Sequence, residues 1–323
     1  MVTIKHTTNS NSFDAGASVA KDALEGLNQK PSWAIVFCAG KQEPEKVMEG
    51  LRSVLGSIPI VGGSAVGVIS NEFYGYEGFE VSITLFGEGF AYKTIQSAAI
   101  NPSERTGGLA LGQQLRATVD KEDTILLFYD TLKSSPPPML YVGGELLGGL
   151  REGLGADDYR ILGAGLVADM GLMGSFIFTG DRVQKHQVTA VVLPKEIAVD
   201  YRILHGCEPI SSYMTITKIE GATVFEIDNR PALDVILETL GMEKTEENIK
   251  SLTTVVTLGE NHGELFGDYD ESKYVNRLII FGNPENGSVQ LFEADFKVGS
   301  EIQIMSRSNE LMIQSAQKMP GNL

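Results

Sequence analysis

The chain has 323 residues, 42% of them hydrophobic, and a formal net charge of −16. That length and apolar share support a sizeable folded core and exclude wholesale disorder. So acidic a surface repels phosphate backbones, which argues against nucleic acid as a partner, and no apolar run reaches the length of a membrane span.

Apolar residues at 15, 19, 20, 23, 24 and 27 predict a helix over Ala15 to Leu27, stopped by Gln29-Lys30-Pro31-Ser32. Trp33 to Phe37 is the first strand, and Cys38 at its end reads as a small buried residue. Proline at a first helical position loses no hydrogen bond, so Glu43-Pro44 starts a helix that runs to about Leu55. Phe79 to Phe86 is a further strand. A helix between Arg105 and Val119 is softened by Gly107, Gly108 and Gly112. Ile125 to Tyr129 is a strand, and Ser134 to Pro138 forms a rigid extended loop leading to a helix start near Met139.

The chain repeats itself. Gly50-Leu51-Arg52-Ser53-Val54-Leu55-Gly56 leads into Ile60-Val61-Gly62-Gly63-Ser64; about a hundred residues on, Gly149-Leu150-Arg151-Glu152-Gly153-Leu154-Gly155 leads into Ile161-Leu162-Gly163-Ala164-Gly165. A strand precedes each unit, and Val81 to Phe86 or Val188 to Leu193 follows it. Two copies at this spacing predict a duplicated α/β unit over residues 1–195, with two equivalent Gly-rich turns as a natural place for a ligand.

A smaller α+β module over 196–323 follows a boundary at Pro194-Lys195-Glu196. It is predicted to contain a strand over Val199 to Leu204 and a turn at Gly206-Cys207-Glu208-Pro209. A hairpin follows from Thr215–Ile219 and Val224–Ile227, then a turn at Asp228-Asn229-Arg230-Pro231 and a helix over Ala232–Leu240. Further strands are predicted at Thr253–Leu258, Tyr274–Phe281, Ser288–Glu293 and Glu301–Met305, and a terminal helix over Asn309–Lys318. Glu246-Glu247 and Asp268-Tyr269-Asp270-Glu271 read as solvated faces or loops.

The candidate ligand-binding residues are Gly62, Gly63, Ser64, Asp130, Gly163, Gly165, Asp169 and Arg277. Backbone N–H groups of the turns, with Ser64, would take a ligand carboxylate, and Asp130 or Asp169 its amine. Each has a plainer reading beside it: tight backbone packing for the glycines, a loop cap for the aspartates, an ion pair for Arg277. Gly163-Ala164-Gly165-Leu166-Val167-Ala168 matches a dinucleotide fingerprint, but Asp169 to Gly174 is poor helix material and cannot complete it. Ser64 lacks the glycine of a nucleophile elbow. No nucleophile, base and orienter assemble, so no enzyme is expected. The histidines are scattered, which gives no metal spacing; a haem needs only one, and His205 is the best placed. Cys38 and Cys207, the only cysteines, form neither a disulfide framework nor a zinc site, which suits a reducing cytoplasm, and the N-terminus carries no signal-peptide stretch.

Several segments together resemble the FIST family. Ile60 to Gly67 is similar to its glycine-serine turn, without the cysteine often found there. Gly206 to Ile210, Thr215 to Gly221 and Phe225 to Leu233 are similar to its C-terminal part, with Asn229 where glycine is usual; Tyr274 to Arg277 and Phe296 to Ser300 resemble two later landmarks. The resemblance implies a sensory module in two parts that binds a small ligand such as an amino acid or other small carboxylate. It also implies signalling to a partner such as a kinase or cyclase, in trans or through an output module of the same protein. Haem-based sensing of nitric oxide is the alternative it carries; a non-catalytic adaptor is a further one.

Overall fold

The computed structural model describes residues 1–317 apart from 71, 72, 137 and 157. The chain divides into two units, Met1–Val199 and Asp200–Leu323. It is a mixed α/β structure, as the composition and strand–helix order predict.

In the first unit, strands Val2–Thr7, Val81–Gly87, Pro31–Ala39 and Ile60–Ala65 lie in that order across one sheet. Strands Thr94–Ala99, Gln187–Leu193, Thr124–Asp130 and Arg160–Leu166 lie in the same order across another. In both, the last two strands are parallel and the other neighbours antiparallel. Trp33, Ile35 and Phe37 pack with Phe128, Leu166 and Val191 between the sheets, while Ala34, Val36 and Cys38 face helices Ser12–Leu27 and Pro44–Leu55. Leu126 and Phe128 divide from Ile125 and Leu127 in the same way, the latter two facing helices Glu104–Leu115 and Gly143–Leu154. The apolar bursts are thus strands buried on both faces, in a four-layer helix–sheet–sheet–helix sandwich.

Glycine sets how closely each helix pair packs. A Cβ at Gly16 would lie 2.2 Å from the Val47 carbonyl oxygen, and one at Gly50 2.1 Å from that of Phe13. In the other pair, a Cβ at Gly108 would lie 2.0 Å from the Leu146 oxygen and one at Gly149 2.0 Å from that of Arg105. Gly108 and Gly112 therefore do not soften their helix; they are its contact surface.

The Gly-rich turns are not turns. Gly62, Gly63 and Ser64 lie inside the Ile60–Ala65 strand, and Gly163 and Gly165 inside Arg160–Leu166. A Cβ at Gly163 would stand 1.7 Å from the oxygen of its cross-strand partner Leu127. Gly62 combines the same crowding, 2.3 Å from the Val36 oxygen, with a φ of 104° that L side chains rarely adopt. The two halves differ at these edges. Ile177–Gly180, from the second half, adds antiparallel to Ile60–Ala65, whereas Arg160–Leu166 pairs only with Thr124–Asp130 among the described residues.

In the second unit, Glu301–Arg307 pairs with both Met214–Glu220 and Val256–Asn261. Tyr274–Gly282, Val289–Leu291 and Thr223–Ile227 complete the circuit back to Met214–Glu220 and close a ring of strands. Leu233 and Ile236 of helix Ala232–Leu240 join its core. Asp228 and Asn229, both with φ near 50–60° (49° and 60°), make the left-handed turn that asparagine tolerates.

Four element predictions are corrected. Met139–Leu140 is a short strand, and the helix begins at Gly143. Residues 199–204 are irregular, with Tyr201, Ile203 and Leu204 exposed, because β-propensity without a partner strand makes no strand. Cys207–Pro209 is a strand on Glu301–Arg307, not a turn. Thr253 to Val255 end a helix, Glu246–Val255, whose first turn is the Glu246-Glu247 run and whose N-cap is Thr245. Strands Val2–Thr7 and Thr94–Ala99 escaped the sequence reading because their side chains are polar and half-buried.

Candidate functional site

Asp130 ends its strand fully buried. Its Oδ1 accepts the Leu132 N–H at 3.1 Å and the Ser175 hydroxyl, and its Oδ2 accepts the His186 N–H at 2.5 Å. Ser64, equally buried, grips the next residue: its N–H donates to the Phe176 oxygen at 3.0 Å, and its Oγ accepts the Phe176 N–H at 3.2 Å. The two side chains hold successive residues of a single segment, Ser175 and Phe176.

That segment is one wall of a cavity of about 470 Å3 in the first unit. Gly40 and Gln42, just beyond the Pro31–Ala39 strand, form the opposite rim with Pro44 and Glu45, the start of the next helix; Lys185 adds a cation. The carboxyl end of a parallel strand, opening onto a helix N-terminus, is where α/β sheets place ligands. Gln42 is buried there. Its Nε2 donates to the oxygens of Asn9 and Phe79, both at 2.7 Å, and its Oε1 has no partner among the described residues. A helix N-terminus and an ammonium suit a carboxylate, and the Glu45 carboxylate suits an amine.

Gly62, Gly63, Ser64 and Asp130 therefore come together behind the cavity wall and do not line it. Gly163 and Gly165 lie on the edge strand, with the Gly165 backbone against the Thr131 hydroxyl and the Tyr129 ring. Asp169 caps its own loop, accepting the Met173 N–H at 3.2 Å. Arg277, in the second unit, is held by Asp295 at 2.7 Å through Nε and lies 3.4 Å from Glu293, so the ion-pair reading describes it. Sequence reasoning missed Gln42, Glu45, Ser175 and Lys185. The strand followed by Glu43-Pro44 was a signal for the first two; Ser175 and Lys185 reach the cavity only through the fold.

His205 does not fit an axial haem ligand. Its Nδ1 accepts the Cys207 N–H at 3.0 Å, which leaves the proton on Nε2, donated to the Glu271 oxygen at 2.8 Å. Both ring nitrogens are engaged, and the adjoining cavity is about 10 Å3. The Glu271 carboxylate also accepts the Ser315 hydroxyl at 2.6 Å and the N–H groups of His205 and Gly206 at 3.1 and 3.2 Å. Burial pushes its pKa up, but these donors outweigh burial and hold it below the usual carboxylate range. A depressed folded-state pKa stabilises the fold above the ordinary carboxylate range and ceases to do so as pH falls through the depressed value. Glu271→Gln is expected to cost about 2 kcal/mol at pH 7. In urea titrations against pH the gap between variant and parent should narrow in acid; a constant gap would contradict the assignment.

Residues 32–230 match the model of the FIST N domain. This is more than half of the chain. The chain belongs to the FIST family. FIST domains are sensory and signal-transduction domains, and the match runs from the Pro31–Ala39 strand through the rest of the first unit into the hairpin of the second, past the end of the first at Val199. No curated protein shows a significant match to the chain. None of the helices among the described residues is long and apolar enough to cross a membrane.

Proposed function

We propose that this FIST protein is a cytoplasmic, non-catalytic sensor that binds an amino acid or other small carboxylate in the cavity between Gln42 and Lys185. The observation that carries the reading is the chemistry of that cavity: a helix N-terminus and Lys185 for a carboxylate, Glu45 for an amine, and a wall fixed from behind by Asp130 and Ser64. A rigid wall with few polar groups is what a small zwitterion requires. In this reading the second unit carries the FIST C-terminal part, supported by the landmarks at Tyr274 to Arg277 and Phe296 to Ser300, and the output partner is a kinase or cyclase. The adaptor reading is supported by a groove in which Ile280 and Phe281 are exposed beside Ile249.

A thermal-shift panel of amino acids and small carboxylates tests the sensor. A ligand that binds only the folded state raises the midpoint by mass action. One compound class should shift the midpoint saturably, and Lys185→Met should weaken its binding about tenfold, the equivalent of about 1.4 kcal/mol. A panel without a saturable shift, or a ligand indifferent to Lys185→Met, removes the reading.

A further inference from the structure

The second unit has a cavity of its own, of about 380 Å3, on the side of the Val256–Asn261 and Tyr274–Gly282 hairpin where the chain loops from 262 to 273. Four aromatic rings line it. Tyr213 and Phe266 meet edge to face, centroids 5.5 Å apart and planes at 82°; Tyr269 and Tyr274 are tilted at 49°, 5.4 Å apart. We propose that these rings form a cage for an organic ammonium ion of the quaternary type.

The tyrosine hydroxyls are committed elsewhere. Tyr274 donates to Gln303 Oε1 at 2.7 Å, Tyr269 donates to the Cys207 oxygen, and Tyr213 accepts from Asn261 Nδ2 at 2.7 Å. With these hydroxyls engaged away from a guest, what the rings offer a ligand is the electron-rich face that attracts a cation. The charge of the lining points the same way. Glu264, Asp268 and Asp270 outnumber Lys273, so an anion is repelled and a neutral apolar guest gains nothing from the carboxylates. A quaternary ammonium suits this combination, since it needs no hydrogen-bond acceptor and spreads its charge over methyl groups that pack on rings.

Phe266 supplies the independent observation. Its φ is 63°, a conformation non-glycine residues rarely adopt, and the residue is 90% exposed. Strain and exposure are both unfavourable for a bulky apolar residue, and neither is offset by core packing. A bound cation against the ring would offset them.

This cavity shares no residue with the one between Gln42 and Lys185, so the proposal stands or falls independently of the amino-acid reading. The test is calorimetric titration of the full chain with choline and with 3,3-dimethylbutan-1-ol, its uncharged carbon isostere. Choline should bind saturably and the isostere at least tenfold more weakly. Phe266→Ala, at an exposed position, should keep the parent's circular dichroism and Tm and weaken choline at least fivefold. Asp268→Asn should weaken choline alone, and Lys185→Met should leave choline binding as in the parent. Absence of choline binding, equal binding of the isostere, or indifference to both cavity variants would overturn the cage. Loss of choline binding in Lys185→Met would overturn it too, by moving the site to the first unit.

Discussion

Replacing Gly149 by alanine is expected to cost the first unit about 3 kcal/mol, the upper range for forcing a methyl group into a packed site. The new methyl carbon would stand 2.0 Å from the Arg105 carbonyl oxygen and 2.9 Å from its Cα, and backbone cannot swing aside as a side chain can. The helices Glu104–Leu115 and Gly143–Leu154 would have to separate, pulling Leu111, Leu146 and Leu150 out of register in the core they share. The same change one residue earlier is the control. At Gly148 the nearest atom is Arg105 Nη1 at 3.2 Å, the far end of a flexible side chain. There alanine should raise stability by up to about 1 kcal/mol, because it restores the helix propensity that glycine lacks. Thermal melts of the two variants separate close packing from propensity: a fall in Tm of roughly 10 °C for Gly149→Ala against no fall for Gly148→Ala. Equal effects would mean that the helices do not touch at Gly149.

Asp130→Asn is expected to cost about 2–3 kcal/mol, the penalty for leaving a buried donor without an acceptor. The amide fills the same space, but its NH2 group must face either the His186 N–H or the Leu132 N–H, and no rotation avoids both. The Ser175 hydroxyl loses its charged acceptor as well. Ser175 lines the cavity and Asp130 does not, so the variant should also weaken whatever ligand the cavity holds. A double-mutant cycle with Ser175→Ala reads this directly: the two changes should be strongly non-additive in both stability and affinity. Additive effects would break the link between the buried carboxylate and the cavity wall.

Much of this molecule is legible in its sequence. Trp33 to Phe37 and Ile125 to Tyr129 announce strands buried on both faces, and Glu43-Pro44 announces a helix start; all three are where they were expected. Ala232–Leu240 begins after Pro231 and ends at Gly241, which takes the left-handed cap. The same reading left the glycines of the two strands divided between ligand-binding turns and tight backbone packing, and the packing is what the structure shows. In Gly62-Gly63-Ser64 and Gly163-Ala164-Gly165 it saw turns, and in Gly107, Gly108 and Gly112 a weak helix. Glycine marks equally a bend, a flexible point and a place where another backbone comes close, and the sequence does not distinguish these. It also named Ser64 and Asp130 as ligand contacts, where they brace the wall that Ser175 and Phe176 form.

The sequence by itself determined the buried strands at Trp33 to Phe37 and Ile125 to Tyr129 and the helices that start at Pro44 and after Pro231. These depend on signals within a few residues of one another: apolar periodicity, caps and turn residues. Only the tertiary structure decided which glycines carry the helix contacts, which half supplies the strand at the Ile60–Ala65 edge, and where the cavities lie. Those features join residues distant along the chain: Asp130 and Ser175 are 45 residues apart, and Ser64 and Phe176 are 112 apart. Packing brings such groups within hydrogen-bond range, and no local spacing encodes it.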